Sequence, residues 1–67
     1  MNNDWIKIYT STQFFKSEMV KQTLIDHEIE AVILNKQDQS YKFGNVEVLV
    51  QEHNRVAALA IISENDL

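Results

Sequence analysis

The sequence contains no cysteine and only one glycine. Without cysteine, neither a disulfide nor a thiolate metal site can stabilise the chain. No apolar run approaches the roughly 18 residues of a membrane span, and the first residues lack the basic start and apolar core of a signal peptide. These absences predict a cytoplasmic protein that does not act in a membrane and that depends on packing and association for stability.

Basic residues are also few and scattered. The net charge is -4, with six Lys and Arg against ten Asp and Glu, and nucleic-acid binding needs a concentrated basic surface. We therefore expect no nucleic-acid partner. The 67 residues, 45% of them hydrophobic, predict a single domain over 1–67 near the lower size limit of a self-sufficient core. Little stability is left for a strained active site, and a partner chain would help.

Three segments show the period-two pattern of strands. Residues 5–10 place Ile6 and Ile8 on one side and Trp5, Lys7 and Tyr9 on the other. Residues 29–34 are apolar on both sides. Residues 46–51 give the clearest strand, and its core side is formed by Val46, Val48 and Val50.

Two segments show helical periodicity. The first helix is expected to start from a capping box formed by Thr10 and Gln13 and to pack on the sheet through a stripe of side chains: Phe14, Ser17, Val20, Leu24 and Ile25. Phe15 and Met19 lie on the opposite side, either covering the flank of the core or forming an exposed patch.

The second helix, over 52–64, has a candidate cap at Asn54. Its expected core side is formed by Val56, Leu59 and Ala60, flanked by Ile61 and Ile62. Residues 65–67 are expected to fray.

This order of elements predicts an α/β (α+β) two-layer sandwich of β-α-β-β-α type. A right-handed crossover makes the first two strands parallel, and the third fits between them, which gives the sheet order 1-3-2 with both helices on one face. This is the split βαβ, ferredoxin-like arrangement without its fourth strand. Because no strand follows the second helix before Leu67, the edge of the first strand is expected to be free.

The sheet face away from the helices is expected to be unusually apolar. It would carry Trp5, Tyr9, Val32, Leu34 and Leu49 among Lys7, Glu30, Glu47 and Gln51. Lys7 and Glu47 are expected to be cross-strand neighbours, worth some tenths of a kcal/mol. Either the charged side chains and termini shield this face, or a homodimer or another protein covers it, since open edges invite pairing and aromatic residues are enriched at interfaces.

Residues 35–44 form a polar loop that is too long for a tight hairpin. Lys36, Tyr41 and Lys42 offer two cations and an aromatic ring, which suits a small anionic ligand or a peptide. The alternative is a mobile, solvated loop. Gly44 is expected to adopt a positive φ where the chain enters the third strand.

The sequence shows no constellation for catalysis. His27 and His53 lie at element boundaries without the spacing of a metal site, and no nucleophile is paired with a base. We expect no enzymatic activity, no cofactor and no bound metal.

The chain resembles a small prokaryotic family described as putative signal-transducing proteins of unassigned function. The resemblance covers nearly the whole chain and lies in residues 5–10, 17–20, 24–25 and 29–32 and in the valine-rich strand before the last helix. It implies a reduced relative of the nitrogen-regulatory PII fold, in which the loop after the second strand contacts effectors. The family usually has glycine where this chain has Glu28; a left-handed helix cap there would cost roughly 1 kcal/mol.

Together these features predict a non-enzymatic interaction or regulatory module that forms a homodimer or binds another protein. The alternative is a sensor that binds a small ligand through residues 35–44. The candidate contact residues are Trp5, Tyr9, Leu34, Lys36, Tyr41, Lys42 and Leu49.

Overall fold

A computed structural model describes residues 4–37 and 44–67 of the chain. Its elements, in chain order, are β1 (Trp5–Ser11), α1 (Phe14–Asp26), β2 (Ala31–Asn35), β3 (Val46–Gln51), a 3-10 turn (Glu52–Asn54) and α2 (Arg55–Glu64). β3 lies in the centre and runs antiparallel to both neighbours, which gives the sheet order β1-β3-β2. The predicted β-α-β-β-α fold and sheet order are confirmed.

The core lies between β3 and the two helices. Val46, Val48 and Val50 are fully buried on one side of β3, as their alternation predicts. Val20 and Leu24 of α1 pack against this side. Ser17 is also buried, and its hydroxyl donates a hydrogen bond of 2.7 Å to the carbonyl of Val46, so its polar atom is satisfied at the point where α1 approaches the sheet.

A β-bulge at Ile8 interrupts the alternation of β1. Lys7 pairs with Leu49, but the next pair joins Tyr9 to Val48, so Ile8 is the extra residue. One additional residue moves every later side chain to the other face of the sheet. The prediction that Tyr9 shares a face with Trp5 is therefore wrong, because Tyr9 lies on the helix-covered side and packs against the core.

The first helix begins differently from the prediction. Gln13 is the N-cap residue, and its side chain makes no capping bond. The backbone N–H of Gln13 donates a hydrogen bond of 3.0 Å to the hydroxyl oxygen of Ser11. The prediction of a capping box formed by Thr10 and Gln13 is therefore wrong. The buried stripe of α1 is narrow, so Phe14 and Ile25 are exposed, and so are Phe15 and Met19 at the flank.

The second helix packs on a different side from the predicted one. Ala58 is buried, and Ile61 and Ile62 pack against the core. Val56, Leu59 and Ala60 face solvent instead; Val56 is 76% exposed. The core side was predicted wrongly because α2 is apolar around most of its circumference. The predicted cap at Asn54 makes no side-chain hydrogen bond. Neither described helix is long and apolar enough to cross a bilayer.

Both helices end in the same hydrogen-bonded motif. After α1, the N–H of Glu28 donates to Ile25 and the N–H of Ile29 donates to Leu24. This is the Schellman pattern, with Glu28 in the left-handed region at φ 66° and Ile29 buried. The left-handed cap expected at Glu28 is confirmed.

The end of α2 repeats the motif. Asp66 has φ 57° and donates to Ser63, while Leu67 donates to Ile62. Leu67 packs against the core in the position that Ile29 occupies after α1. The prediction that 65–67 fray is wrong, because an apolar residue after the left-handed one anchors the helix end.

Replacing Glu28 with glycine is expected to raise the free energy of unfolding by roughly 1 kcal/mol, because glycine adopts positive φ without the Cβ clash. Glu28→Ala is the matched control: it removes the side chain but keeps Cβ and should give no such gain. Urea denaturation of the two variants measures the difference. Equal stability of the glycine and alanine variants would contradict the argument.

Candidate interaction surface

The side of the sheet opposite the helices is here named the open face. The strand register places these residues on it: Trp5, Lys7, Thr10, Val32, Leu34, Glu47, Leu49 and Gln51. Neither α1 nor α2 packs on this side, since the core that both helices contact lies on the other face of β3. Within the described residues, the open face is thus a surface of side chains without a covering layer.

Four apolar side chains form most of the open face. Val32 is 39% exposed and Leu34 is 45% exposed, while Trp5 and Leu49 are half-buried. Val32 lies directly opposite Leu49 in the register, so the two side chains are cross-strand neighbours. The prediction of an apolar open face holds for Trp5, Val32, Leu34 and Leu49.

Glu47 occupies the middle of this surface. It lies on the central strand, and its side chain is only 10% exposed. The ammonium group of Lys7 is 3.7 Å from its carboxylate on one side, and that of Lys36 is 3.6 Å away on the other. The predicted contact of Lys7 with Glu47 is confirmed, and Lys36 is a second partner that the sequence gave no reason to place there.

This arrangement keeps a nearly buried charge compensated. Both lysines are more than half exposed, so either ion pair alone contributes only a few tenths of a kcal/mol. If Glu47 had no cation beside it, the desolvation cost of its carboxylate would be larger than the contribution of either ion pair. The two lysines therefore matter together, because each compensates Glu47 when the other is absent.

Replacing both Lys7 and Lys36 with methionine is expected to lower the free energy of unfolding by about 1–2 kcal/mol, more than the two single changes add up to. Adding Glu47→Leu to the double variant should restore most of the loss, since no uncompensated carboxylate remains. Urea denaturation of the four variants measures these differences. Strictly additive single effects would contradict a shared role of the two lysines.

The loop that carries Lys36 is fixed at its two described ends. The N–H of Lys36 donates to the carbonyl of Asn45 at 2.9 Å, and the side-chain amide of Gln37 donates to the carbonyl of Thr12 at 2.7 Å. Gly44 has φ 104°, which confirms the expected positive φ. A Cβ atom on Gly44 would lie 2.5 Å from the carbonyl oxygen of Lys36, so there is no room for a side chain at this position.

Replacing Gly44 with alanine is expected to lower the free energy of unfolding by at least about 1–2 kcal/mol, because alanine at positive φ is strained and its Cβ meets backbone at Lys36. Thermal denaturation measures the loss. The neighbouring exposed change Asn45→Ala is the control, expected to stay within about 0.5 kcal/mol of the wild type. An unchanged melting temperature for the Gly44 variant would refute the close approach of Gly44 to the backbone of Lys36.

Tyr9 belongs to a different surface. It lines an apolar cleft of about 260 Å³ between β1, α1 and the end of α2, with Phe15, Met19 and Leu67 among the other lining residues. The cleft is on the helix side of the sheet, so Tyr9 and the open face cannot meet the same ligand. Sequence reasoning placed them together because the bulge at Ile8 leaves no trace in the alternation of residues 5–10.

The remaining candidate residues fall into two groups. Trp5, Leu34, Lys36 and Leu49 lie together on the open face. Tyr41 and Lys42 lie outside the described residues. The sensor hypothesis for residues 35–44 stays a prediction; Lys36, its described cation, is already beside the carboxylate of Glu47.

The two histidines, His27 and His53, are exposed. A ring nitrogen of His27 lies 2.8 Å from the carbonyl of Thr23 at the end of α1, and His53 lies in the 3-10 turn. Across residues 4–37 and 44–67, no group of three or more His, Cys, Asp or Glu is arranged to hold a metal ion.

The described architecture is that of a two-layer α+β domain with two helices on one side of a three-stranded antiparallel sheet. The family model described as "Putative prokaryotic signal transducing protein" matches residues 5–66. The chain therefore belongs to this family, and the resemblance seen in the sequence is confirmed. No curated protein matches the chain, and no solved structure matches it.

Proposed function

We propose that this chain is a non-enzymatic interaction module of prokaryotic signal transduction that acts in the cytoplasm and associates with itself. The observation that carries the proposal is the open face: Val32 and Leu34 are exposed beside half-buried Trp5 and Leu49. Contiguous apolar surface of this kind on a small domain is typical of a contact surface. The family description, signal transducing protein, supports a role in which the chain acts by binding another protein chain.

The polar groups of the open face also favour binding over catalysis. The carboxylate of Glu47 is held between two ammonium groups, which lowers the penalty of covering it with another protein. A group prepared for proton transfer needs a reacting partner in a cleft, whereas Glu47 lies on an extended sheet surface.

A further exposed apolar surface lies on the outer side of α2, where Val56 is 76% exposed and Leu59 is 45% exposed. It is narrower than the open face, since α2 spans only ten residues and these two side chains are flanked by alanines. It also carries no aromatic residue and no unpaired strand edge. Val56 therefore provides the matched control for a test of the open face.

Sedimentation velocity over a range of concentrations is expected to show reversible self-association of the wild-type chain. Leu34→Lys should weaken it, because a charge is introduced into the apolar part of the open face, and Val56→Lys should leave it unchanged. Circular dichroism checks that both variants stay folded. A wild-type chain that remains monomeric, or association lost in the Val56 variant only, would overturn the proposal.

A further inference from the structure

The two edges of the sheet differ in how well they suit pairing with another strand. β1 carries the bulge at Ile8 and the charged Lys7, and bulges and edge lysines are devices that prevent pairing. β2 pairs with β3 without any shift in register. Its sequence, Ala31 to Asn35, contains no charge and no proline. β2 is thus the unprotected edge.

The hydrogen-bond pattern shows which groups of β2 point outward. The N–H of Lys36 donates to Asn45, and these two residues continue the register that pairs Asn35 with Val46. Residues alternate between bonded and non-bonded pairs in an antiparallel ladder, so Val32 and Leu34 bond to β3. Ala31, Ile33 and Asn35 must direct their N–H and C=O groups away from the sheet.

The hydrogen bonds between β3 and β1 support the same assignment. The N–H of Glu52 donates to the carbonyl of Asp4, so even-numbered residues of the β3 segment bond to β1. Odd-numbered residues, including Glu47 and Leu49, are left to bond to β2, which matches the pattern derived from Lys36. Among the described residues, the backbone groups of Ala31, Ile33 and Asn35 have no partner outside this ladder.

We propose that two copies of this chain pair through β2, antiparallel, with Ile33 on the two-fold axis. This assignment rests on the proposed self-association and specifies its geometry. With Ile33 opposite Ile33 of the second copy, Ala31 faces Asn35 of the second copy on both sides of the axis. All the outward N–H and C=O groups of the five-residue strand then find partners, which gives six hydrogen bonds across the interface.

The side chains in this register are self-complementary, which is why a second copy fits better than an unrelated strand. On the open face, Val32 meets Leu34 of the second copy, so two exposed apolar residues cover each other. Two residues farther from the axis, on the same face, Glu30 faces Lys36 of the second copy. Two-fold symmetry repeats each contact, and the opposite charges occur in both halves of the interface.

Pairing of this kind joins the two sheets edge to edge and, beyond the contacts of Val32 with Leu34 and of Glu30 with Lys36, leaves their open faces uncovered. A two-fold axis perpendicular to the sheet keeps all four helices on one side and makes the two open faces one continuous six-stranded surface. Lys36 then lies between Glu47 of its own chain and Glu30 of the second copy. The apolar patch around Leu49 stays available on both halves for another protein.

Amide hydrogen exchange read by NMR tests the pairing residue by residue. As concentration rises, the amides of Ala31, Ile33 and Asn35 should become protected, whereas the outward amides of Lys7 and Thr10 on β1 should not change. A chain that is monomeric at every concentration overturns the proposed function and the pairing with it. A chain that associates without a rise in protection at Ile33 overturns the pairing alone.

Charge exchange provides an independent test. Glu30→Lys and Lys36→Glu should each weaken self-association roughly tenfold or more, because each places like charges opposite each other twice. An equimolar mixture of the two variants should restore association, since every pair in the heterodimer is again of opposite charge. Circular dichroism of each variant monitors folding, which Lys36→Glu also affects through Glu47.

Asp4→Lys is the matched control, because it makes the same change in charge at the other edge of the sheet. It should leave the dissociation constant within about twofold of the wild-type value. Failure of the mixture to associate, when both variants are folded, would refute the register around Ile33. Loss of association in the Asp4 variant would assign the interface to β1 instead.

Discussion

The structure depends on β3, the strand that forms hydrogen bonds on both sides. Its three valines are fully buried and provide the surface on which both helices pack. The alternate residues, Glu47 and Leu49, form the centre of the open face. One six-residue strand therefore sets the core and the candidate interface together, because the side-chain period of two assigns neighbouring residues to opposite surfaces. A change of register in β3 would exchange the two.

The strongest periodic patterns of the sequence led to correct predictions. The alternating valines identified β3 and its core side, and the order of elements identified the sheet topology. Tyr9 could not be placed, because whether a strand contains a bulge depends on its partner and not on its own alternation. The core side of α2 was missed for a different reason: a helix that is apolar nearly all round gives no periodic signal, and contacts with β1 and β3 decide its orientation.

The candidate surface was only partly accessible from the sequence. Lys7 and Glu47 lie on neighbouring strands and on the same face, which a correct topology supplies, and their contact is diagonal because Lys7 pairs with Leu49. The position of Lys36 depends on contacts with residues distant in sequence: its N–H donates to the carbonyl of Asn45, and Gly44 packs closely against its carbonyl oxygen. The two helix ends differ in what the sequence offered: the family's usual glycine indicated the left-handed cap at Glu28, whereas no such comparison indicated the same motif at Asp66 and Leu67.

The bulge at Ile8 has a practical consequence for spectroscopy. It leaves Trp5 on the open face and sends Tyr9 to the cleft beside α1. Since Trp5 is the single tryptophan of the chain, its emission reports on one side of the sheet only. The fluorescence of Trp5 is therefore an intrinsic probe of the open face, and no added fluorophore is needed.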